Sequence, residues 1–370
     1  MAYVCHAMVA FAHFFLGQLL PHLTFFLRSV PKMAITIRDV AREANVSLRT
    51  ATRVVNNEPN VHPRTRQLVR EAASRLGWRP NAHARHLVRG KTDRLGVILP
   101  DSRNTIFSDI STVIEAEAQA RGYNCLFLHS EGDPEREAKF LSLAMDGSVD
   151  GLIMMANVLK ANHEIYHRLL KDHIPMVFRA GPETPGIVDL VAVDLEKAGY
   201  LATRHLLNLG HEHIGLILQK AARDRQTGRL DGYRRAHEEH NVPIHDDYKV
   251  YCGYRVEDGY RTSLRLLQVH PEITAVFCHN DQLALGLFRA ARELNRKVPD
   301  SLAVVGYDNI EMCRFCEVPL TTIGYSKESL GQLLVEMICL RIKDPKHSPQ
   351  RIVLPPELII RESCGYATHR

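Results

Sequence analysis

A chain of 370 residues with 45% hydrophobic and 24% charged side chains has room for two or three folded domains, and is neither a low-complexity nor a fibrous protein. Its formal net charge of +5 is unevenly spread: Met33 to Arg94 holds 13 Lys and Arg against 5 Asp and Glu, whereas the chain from Leu95 onward is net acidic. A basic head on an acidic body suits a polyanion-binding module joined to a domain that does not itself adhere to nucleic acid.

Residues 1–32 differ from everything after them. Phe11 to Leu27 is strongly apolar, yet no basic residue precedes it and His13, Pro21 and His22 interrupt it. This segment is expected to be a non-native or disordered extension, with translation from Met33; an export signal or anchor is the alternative.

From Ile35 the pattern becomes helical. Thr36 followed by Asp39 reads as a helix N-cap, with apolar Val40, Ala41 and Ala44 behind it. Ala44-Asn45-Val46 interrupts the pattern, and Ser47 caps a second helix through Val55. Two short helices joined by a tight turn are the helix-turn-helix pattern. On the second helix Ala51, Val54 and Val55 share one face, while Leu48, Arg49, Thr52 and Arg53 fall on the other. Arg suits bidentate contact with guanine, and Leu or a Thr methyl suits thymine. A third helix starts with Pro63 at its first turn and runs through Val69 and Leu76 to a stop at Gly77. Trp78, the only tryptophan, is expected to pack against it. Beyond Pro80 and Asn81 lies a short basic helix candidate that ends near Lys91.

From Leu95 short apolar runs alternate with amphipathic stretches: LGVILP, YNCLFLH, VDGLIMM, PMVFRA, VDLVAVD, HIGLILQ, ITAVFCHN and LAVVGYD. Near-continuous apolar strands separated by helices predict parallel sheets covered on both faces, and the run is long enough for two. Ligands in doubly wound folds bind beyond the carboxyl ends of the strands. That rule selects Asp101, Asn104 and Phe107, then Asn280 and Asp281, then Tyr307, Asp308 and Asn309, with Arg229 at a helix start and Tyr254 after YKVYCG. Asp308, Asn280, Arg229, Phe107 and Tyr254 together supply the carboxylate, amide, guanidinium and aromatic surfaces that a sugar-like ligand needs. As caps, turns and core they would look the same in the sequence.

The eight cysteines lack the spacing of an extracellular disulfide framework, which favours a reducing compartment. Cys313 and Cys316 form a lone CxxC with no second pair, and His211-Glu212-His213 reads as a loop before a strand, so no metal site is expected. No catalytic constellation stands out: GxxxxGK[ST], HExxH and a recognisable Ser, His and Asp set are all missing, so neither enzyme activity nor a cofactor is expected.

The stretches DVAREANVSLRTATRVVNN, TRQLVREAASRLGWRPNAHARHLVRGKT and LGVILPD, in that order, resemble the LacI/GalR family of bacterial transcription regulators, and the resemblance runs from about Ile35 to Cys364. It implies a small all-α helix-turn-helix head and an α/β two-lobed periplasmic-binding-protein-like core of two doubly wound parallel sheets. The implied division is a DNA-binding head at 33–79, a hinge at 80–92 and an effector and dimerisation domain at 93–366, its N-subdomain at 93–192 and 324–352 and its C-subdomain at 193–323 and 353–366. DNA contacts are implied for Thr36, Ser47, Leu48, Arg49, Thr50, Thr52, Arg53 and Asn56, and in the hinge for Asn81, Ala84, Arg85 and Leu87, the last as a minor-groove wedge. HNDQLALG and VVGYDN are similar to family segments whose Asn and Asp face effector, and RLDGY places Arg229 at an effector-binding arginine. One departure stands out. Where several sugar-binding members have Asp after the IPxxF strand, this chain has Arg179-Ala180, with Arg223 and Arg225 also nearby in sequence to Arg229. The expectation is a cytoplasmic, nucleoid-associated homodimeric repressor of operator DNA, without a membrane partner, controlled by a sugar or sugar acid at Phe107, Arg179, Arg229, Tyr254, Asn280 and Asp308. The rival is an exported sugar-binding protein of a transporter, which would not need Ile35 to Lys91.

Overall fold

The computed structural model describes residues 35–56, 58–78, 91–101, 103–155, 161–179, 188–220 and 228–366. The 1–32 extension, the hinge residues Asn81, Ala84, Arg85 and Leu87, and the loop arginines Arg223 and Arg225 lie outside these. The chain divides into two compact units, Met1–Gly90 and Lys91–Arg370.

The described residues of the first unit form a bundle of three helices, α1 (Ile37–Glu43), α2 (Leu48–Val55) and α3 (Pro63–Arg75). A capping box opens α1: the Thr36 backbone N–H donates to the Asp39 carboxylate at 2.9 Å, and the Thr36 hydroxyl donates to the same oxygen at 2.8 Å. The helix ends in a Schellman motif, with Val46 N–H on the Ala41 carbonyl and Asn45 N–H on that of Arg42. This requires Asn45 at φ 50°, a left-handed conformation that asparagine tolerates and a β-branched residue does not. Ser47 then caps α2 by accepting from Thr50 N–H at 3.1 Å. Pro63 begins α3, and Gly77 at φ 63° closes it in a second Schellman turn with Trp78. Val40, Ala41, Ala44, Ala51, Val54, Val69 and Ala72 form the core, and Trp78 packs against it.

The second unit holds two six-stranded sheets. In the N-lobe, β1 (Arg94–Leu99), β2 (Asn124–His129), β3 (Gly151–Met154), β4 (Met176–Phe178), β5 (Asp189–Val193) and a late strand at Arg351–Leu354 are ordered late strand-β5-β4-β3-β1-β2, all parallel. In the C-lobe, β6 (Ile214–Gln219), β7 (Lys249–Cys252), β8 (Ala275–Cys278), β9 (Ala303–Tyr307) and β10 (Thr321–Gly324) are parallel. The N-lobe's late strand is β11, and β12 (Glu357–Ile359) closes the C-lobe sheet antiparallel to β10. The chain crosses between lobes after Val193, after Gly324 and after Leu354. Gly324 therefore stays in the C-lobe, and Val353 and Leu354 pair with Ala192 and Val193 in the N-lobe. These crossovers fall slightly downstream of the expected subdomain limits.

β1, β3, β4 and β5 are buried almost along their whole length because helices cover both faces. One N-lobe face packs on α4 (Thr105–Ala120) and α11 (Lys327–Lys343), through Ile106, Ile110, Ile114, Leu334 and Ile338. The other packs Leu141 and Leu169, from α5 (Pro134–Met145) and α6 (His163–Lys171). C-lobe cover comes from α7 (Leu195–Asn208), α8 (Gly228–His240), α9 (Val256–Val269) and α10 (Asp281–Glu293). All the parallel strands of each lobe end on one side, so their carboxyl ends collect the polar loops that the sequence singles out.

Candidate functional site

In the head, α2 buries Ala51 and Val54 and leaves Leu48 and Arg49 exposed. Thr52 turns its hydroxyl back to the Leu48 carbonyl at 2.8 Å, and the Thr50 hydroxyl lies 2.8 Å from that of Ser47. Asn56 is the C-cap of α2, and Thr36 and Ser47 are both N-caps. Arg53 is committed within the head. It pairs with Glu58 at 3.2 Å and donates to the Pro59 carbonyl at 2.9 Å, while Arg66 donates to the Glu58 carbonyl at 2.8 Å. Arg49 and Leu48 are thus the side chains that α2 offers freely, whereas Arg53 first braces the loop before α3.

In the second unit, the strand ends of the two lobes meet. Asp101 follows β1, is buried, and accepts from Arg103 backbone N–H at 2.9 Å and from Arg103 Nε at 3.0 Å. The C-lobe's Arg255 reaches it at 3.8 Å. Burial acts to raise this carboxyl, but the Arg103 hydrogen bonds and the Tyr254 hydroxyl outweigh it and hold Asp101 below its ordinary value. Tyr254 is in turn raised by burial and by Asp101. Gln282 at the start of α10 donates to the Arg103 carbonyl at 2.9 Å, and Lys327 bonds both Asp109 of the N-lobe at 2.6 Å and the Asn309 carbonyl of the C-lobe at 2.9 Å.

At the centre sits Asp308. It follows β9 at φ 111°, with Asn309 also left-handed at φ 50°, and is 6% exposed. Burial pushes its carboxyl up to about 6, against the pull of Arg179, Arg229 and Lys327 and of a hydrogen bond from Asn104 across the lobes. Asn104 also caps α4, accepting from Ile106 N–H at 3.2 Å. Arg179, one residue past β4, donates to the Tyr325 hydroxyl at 2.7 Å and lies 5.6 Å from the Tyr325 ring and 5.9 Å from that of Phe107. Arg229 is 7% exposed, with its guanidinium carbon 3.9 Å from the Tyr307 ring centroid. Its placement follows from glycine packing: a methyl at Gly199 on α7 would collide with the Arg229 carbonyl oxygen, so α7 and α8 approach only because that position has no side chain.

Phe107, Arg179, Arg229 and Asp308 are therefore brought together, and Tyr254 stands beside Asp101 at the edge of the same region. Asn280 is placed otherwise than a pure ligand residue: its Oδ1 caps α10 by accepting from Leu283 N–H at 2.9 Å, and its Nδ2 donates to the Tyr254 carbonyl at 3.1 Å. Asp281, wholly buried behind Asp308, accepts from Ile310 N–H at 2.9 Å and from the Thr322 hydroxyl at 2.6 Å. Burial, and after it the charge of Asp308, pushes Asp281 up to about 7.

Tyr325 and His279 were not among the residues expected here, and Tyr307 and Asn104 were expected only as strand-end residues, not as effector contacts. His279 ends the β8 run, so the strand-end rule would have found it, whereas Tyr325 follows β10, whose Thr-Thr-Ile-Gly sequence is not an apolar run. Burial and the Arg229 charge hold His279 well below its ordinary range, leaving a neutral ring. Several buried atoms here have no hydrogen-bonding partner among the described residues: Arg179 Nε, Arg229 Nε and His279 Nδ1. Each such atom costs about 1–3 kcal/mol, so their gathering in one place marks a site built for something else to complete.

The other candidate chemistries find no support. Burial raises both Cys313 and Cys316, which disfavours the reactive thiolate. His213 Nδ1 lies 3.1 Å from the Tyr248 hydroxyl in an aromatic cluster, and among the described residues no group of His, Cys, Asp and Glu could hold a metal ion. No helix of the described residues is long and apolar enough to cross a membrane.

Comparison with known proteins places both units. A model of bacterial regulatory proteins of the lacI family matches residues 36–81, and one of a periplasmic binding protein-like domain matches residues 203–364. The HTH-type transcriptional regulator DegA of Bacillus subtilis (strain 168) is 32% identical over 338 residues, covering 90% of this chain and 99% of its own. An HTH-type transcriptional repressor PurR, from Mannheimia succiniciproducens, is 34% identical over 89% of this chain and 98% of its own. Among solved structures, the lac repressor dimer bound to operator and an anti-inducer superposes with a TM-score of 0.77 at 25% identity, covering 89% of this chain and 99% of that one. A complex of the transcriptional regulator CelR with cellobiose gives a TM-score of 0.66 at 26% identity, over 89% and 99% of the two chains. The helix-turn-helix match does not favour an exported binding protein, and these relatives are regulators rather than enzymes. The chain belongs to the lacI family of bacterial regulatory proteins and is a DNA-binding transcription regulator.

Proposed function

We propose that this regulator is a cytoplasmic, nucleoid-associated repressor that binds a near-palindromic operator as a homodimer and is controlled by a small carbohydrate-like effector held between the lobes. Each head presents Leu48 and Arg49 to the major groove, with Thr36, Ser47, Thr50, Thr52 and Asn56 at the phosphates and groove edge and Arg53 reaching DNA once it leaves Glu58. The hinge residues Asn81, Ala84, Arg85 and Leu87 lie at the operator centre, where Leu87 opens a base step at a cost of a few kcal/mol. Asp308, Arg229, Arg179 and Phe107 contact effector, Tyr254 and Asn280 shape the wall, and no cofactor or metal takes part.

One observation carries the effector site: buried nitrogens of Arg179, Arg229 and His279 that have no hydrogen-bonding partner among the described residues collect around Asp308 at the strand ends of both lobes. The cellobiose complex of CelR supports a carbohydrate as the class of ligand. Bridges between the lobes, such as Lys327 to the Asn309 carbonyl and Gln282 to the Arg103 carbonyl, give the ligand something to strengthen or break, and a ligand with different affinity for two lobe arrangements shifts the balance between them. The test is a thermal-shift screen of sugars and sugar acids, followed by operator titration with each compound that raises the melting temperature. The proposal expects a compound that does both, stabilising the chain and changing operator affinity at least fivefold, since allosteric coupling is worth roughly 1–3 kcal/mol. A compound that stabilises the chain but leaves operator affinity untouched contradicts it.

A further inference from the structure

Charge balance around Asp308 points to the kind of ligand, given that the effector site is where we place it. Two guanidiniums, Arg179 and Arg229, face this region, and a guanidinium does not shed its proton when buried. Other cations nearby are answered elsewhere: Lys327 by Asp109, Arg103 by Asp101 and Glu131, and Arg255, 3.8 Å from Asp101, by solvent, since its side chain is 45% exposed. Among the described residues Asp308 is the one carboxylate left to face the two arginines. Asp281 stands behind it with its oxygens taken by Ile310 N–H and the Thr322 hydroxyl, and its charge is partly suppressed. Among the described residues about one positive charge thus lacks a counterion, a costly arrangement that a bound anion would relieve.

Arg179 is the arginine with the better geometry for that anion. Arg229 is stacked at 3.9 Å on Tyr307, whereas Arg179 is edged by the Phe107 and Tyr325 rings, has one amino group spent on the Tyr325 hydroxyl, and keeps Nε without a partner. A planar guanidinium edge matches a planar carboxylate through two parallel hydrogen bonds. A phosphate ester, carrying close to two charges at neutral pH, would overfill a site short of about one.

We propose that the effector is a monocarboxylic sugar acid, a uronate or aldonate, and that Arg179 selects the acid over the neutral sugar of the same shape. The sugar hydroxyls fall to Asp308, Arg229 and His279, and the carboxylate to the free edge of Arg179. In the unliganded chain Arg179 is a destabilising residue, because the half-buried side chain keeps its Nε buried without a partner among the described residues.

Two measurements on the full chain test this. First, Arg179→Met and Arg179→Gln are melted without ligand: both are expected to melt no lower than wild type, and a fall of several degrees in both would make Arg179 a structural brace and overturn the inference. Second, wild type, Arg179→Gln and Arg229→Ala are titrated by calorimetry with glucuronate, galacturonate, gluconate and galactonate, with glucose and galactose, and with glucose 6-phosphate. The expected result is that at least one acid binds, that its neutral counterpart and the phosphate ester bind at least about thirtyfold more weakly, and that Arg179→Gln loses about that factor on the acid alone, as for a charged pair deprived of one partner. A neutral sugar or the phosphate ester binding wild type as tightly as any acid, or full acid affinity in Arg179→Gln, overturns the inference. Loss in Arg229→Ala with no loss in Arg179→Gln would overturn it while leaving the effector site standing. No binding by any compound in the panel would overturn both.

Discussion

Asp308 holds a backbone conformation, φ 111°, that residues other than glycine rarely adopt, at a cost of order 1–3 kcal/mol. Its surroundings impose this: Asp308 N–H donates to the Ile323 carbonyl at 2.9 Å, and Asp281 holds Ile310 N–H just beyond it. The strain puts a carboxylate between Arg179 and Arg229 instead of in water, so Asp308→Ala should weaken effector binding at least tenfold, about 1.4 kcal/mol, while operator affinity without effector stays within twofold. Calorimetry and fluorescence anisotropy on the same preparation check the two halves. Burial gives a second prediction. The folded-state values of Asp308, about 6, and Asp281, about 7, are both raised above the unfolded value near 3.9. Protons therefore favour the folded form: the stabilising contribution is fully present below about pH 4 and is lost as pH rises through 6 and 7. Between pH 5 and 8 the ligand-free wild type should lose a few degrees of melting temperature that Asp281→Asn keeps, and parallel melting curves for the two would contradict the raised carboxyls. Asp308 stood out in the sequence because a polar residue after an apolar run is conspicuous, and Arg229 because it opens a helix after a glycine-containing loop. His279 was not weighed, since a histidine at the end of such a run reads as more core until its packing is known, and Tyr325 follows no such run.

At the scale of elements, capping chemistry fixes the reader and glycine packing fixes the ligand region. Thr36, Asn45, Ser47, Pro63 and Gly77 each stop or start a helix by a hydrogen bond or a backbone angle that their own chemistry supplies, and for this reason the three head helices were readable from the sequence. What spacing did not disclose is that Arg53, on the outward face of α2, is held by Glu58 and Pro59 from the following loop. The two arginines should separate accordingly. Arg49→Ala is expected to cost about 1–3 kcal/mol on the preferred operator base and little on random DNA, with no change in melting. Arg53→Ala should lower the stability of the head as well as operator affinity. Operator titrations with single-base substitutions, run beside melting curves, distinguish them, and identical behaviour of the two variants would count against this division. In the C-lobe, Gly199→Ala must displace the backbone at Arg229. It should cost about 1–3 kcal/mol of stability and weaken effector binding, leaving operator affinity without effector unchanged. Unaltered melting and effector titrations would mean that α8 can give way without moving Arg229.

For the whole molecule, the alternation of apolar runs and amphipathic stretches disclosed two parallel sheets, because strands covered on both faces must be apolar throughout. It disclosed the crossovers less sharply: β11 and β12 are separated only by Pro355 and Pro356 yet belong to different lobes, and their half-exposed residues carry neither a strict alternation nor a continuous apolar run. The chain passes between lobes three times. Pairing two heads doubles the recognised sequence, and light scattering at micromolar concentration should give the mass of a dimer. The most direct test of sequence-specific operator recognition by such a dimer is selection of bound duplexes from a random-sequence pool by the full chain at physiological salt. The account predicts convergence on one near-palindromic site, bound at least about a thousandfold more tightly than random DNA and read differently by Arg49→Ala. Recovery of unrelated sequences, bound no better than the starting pool, would contradict it.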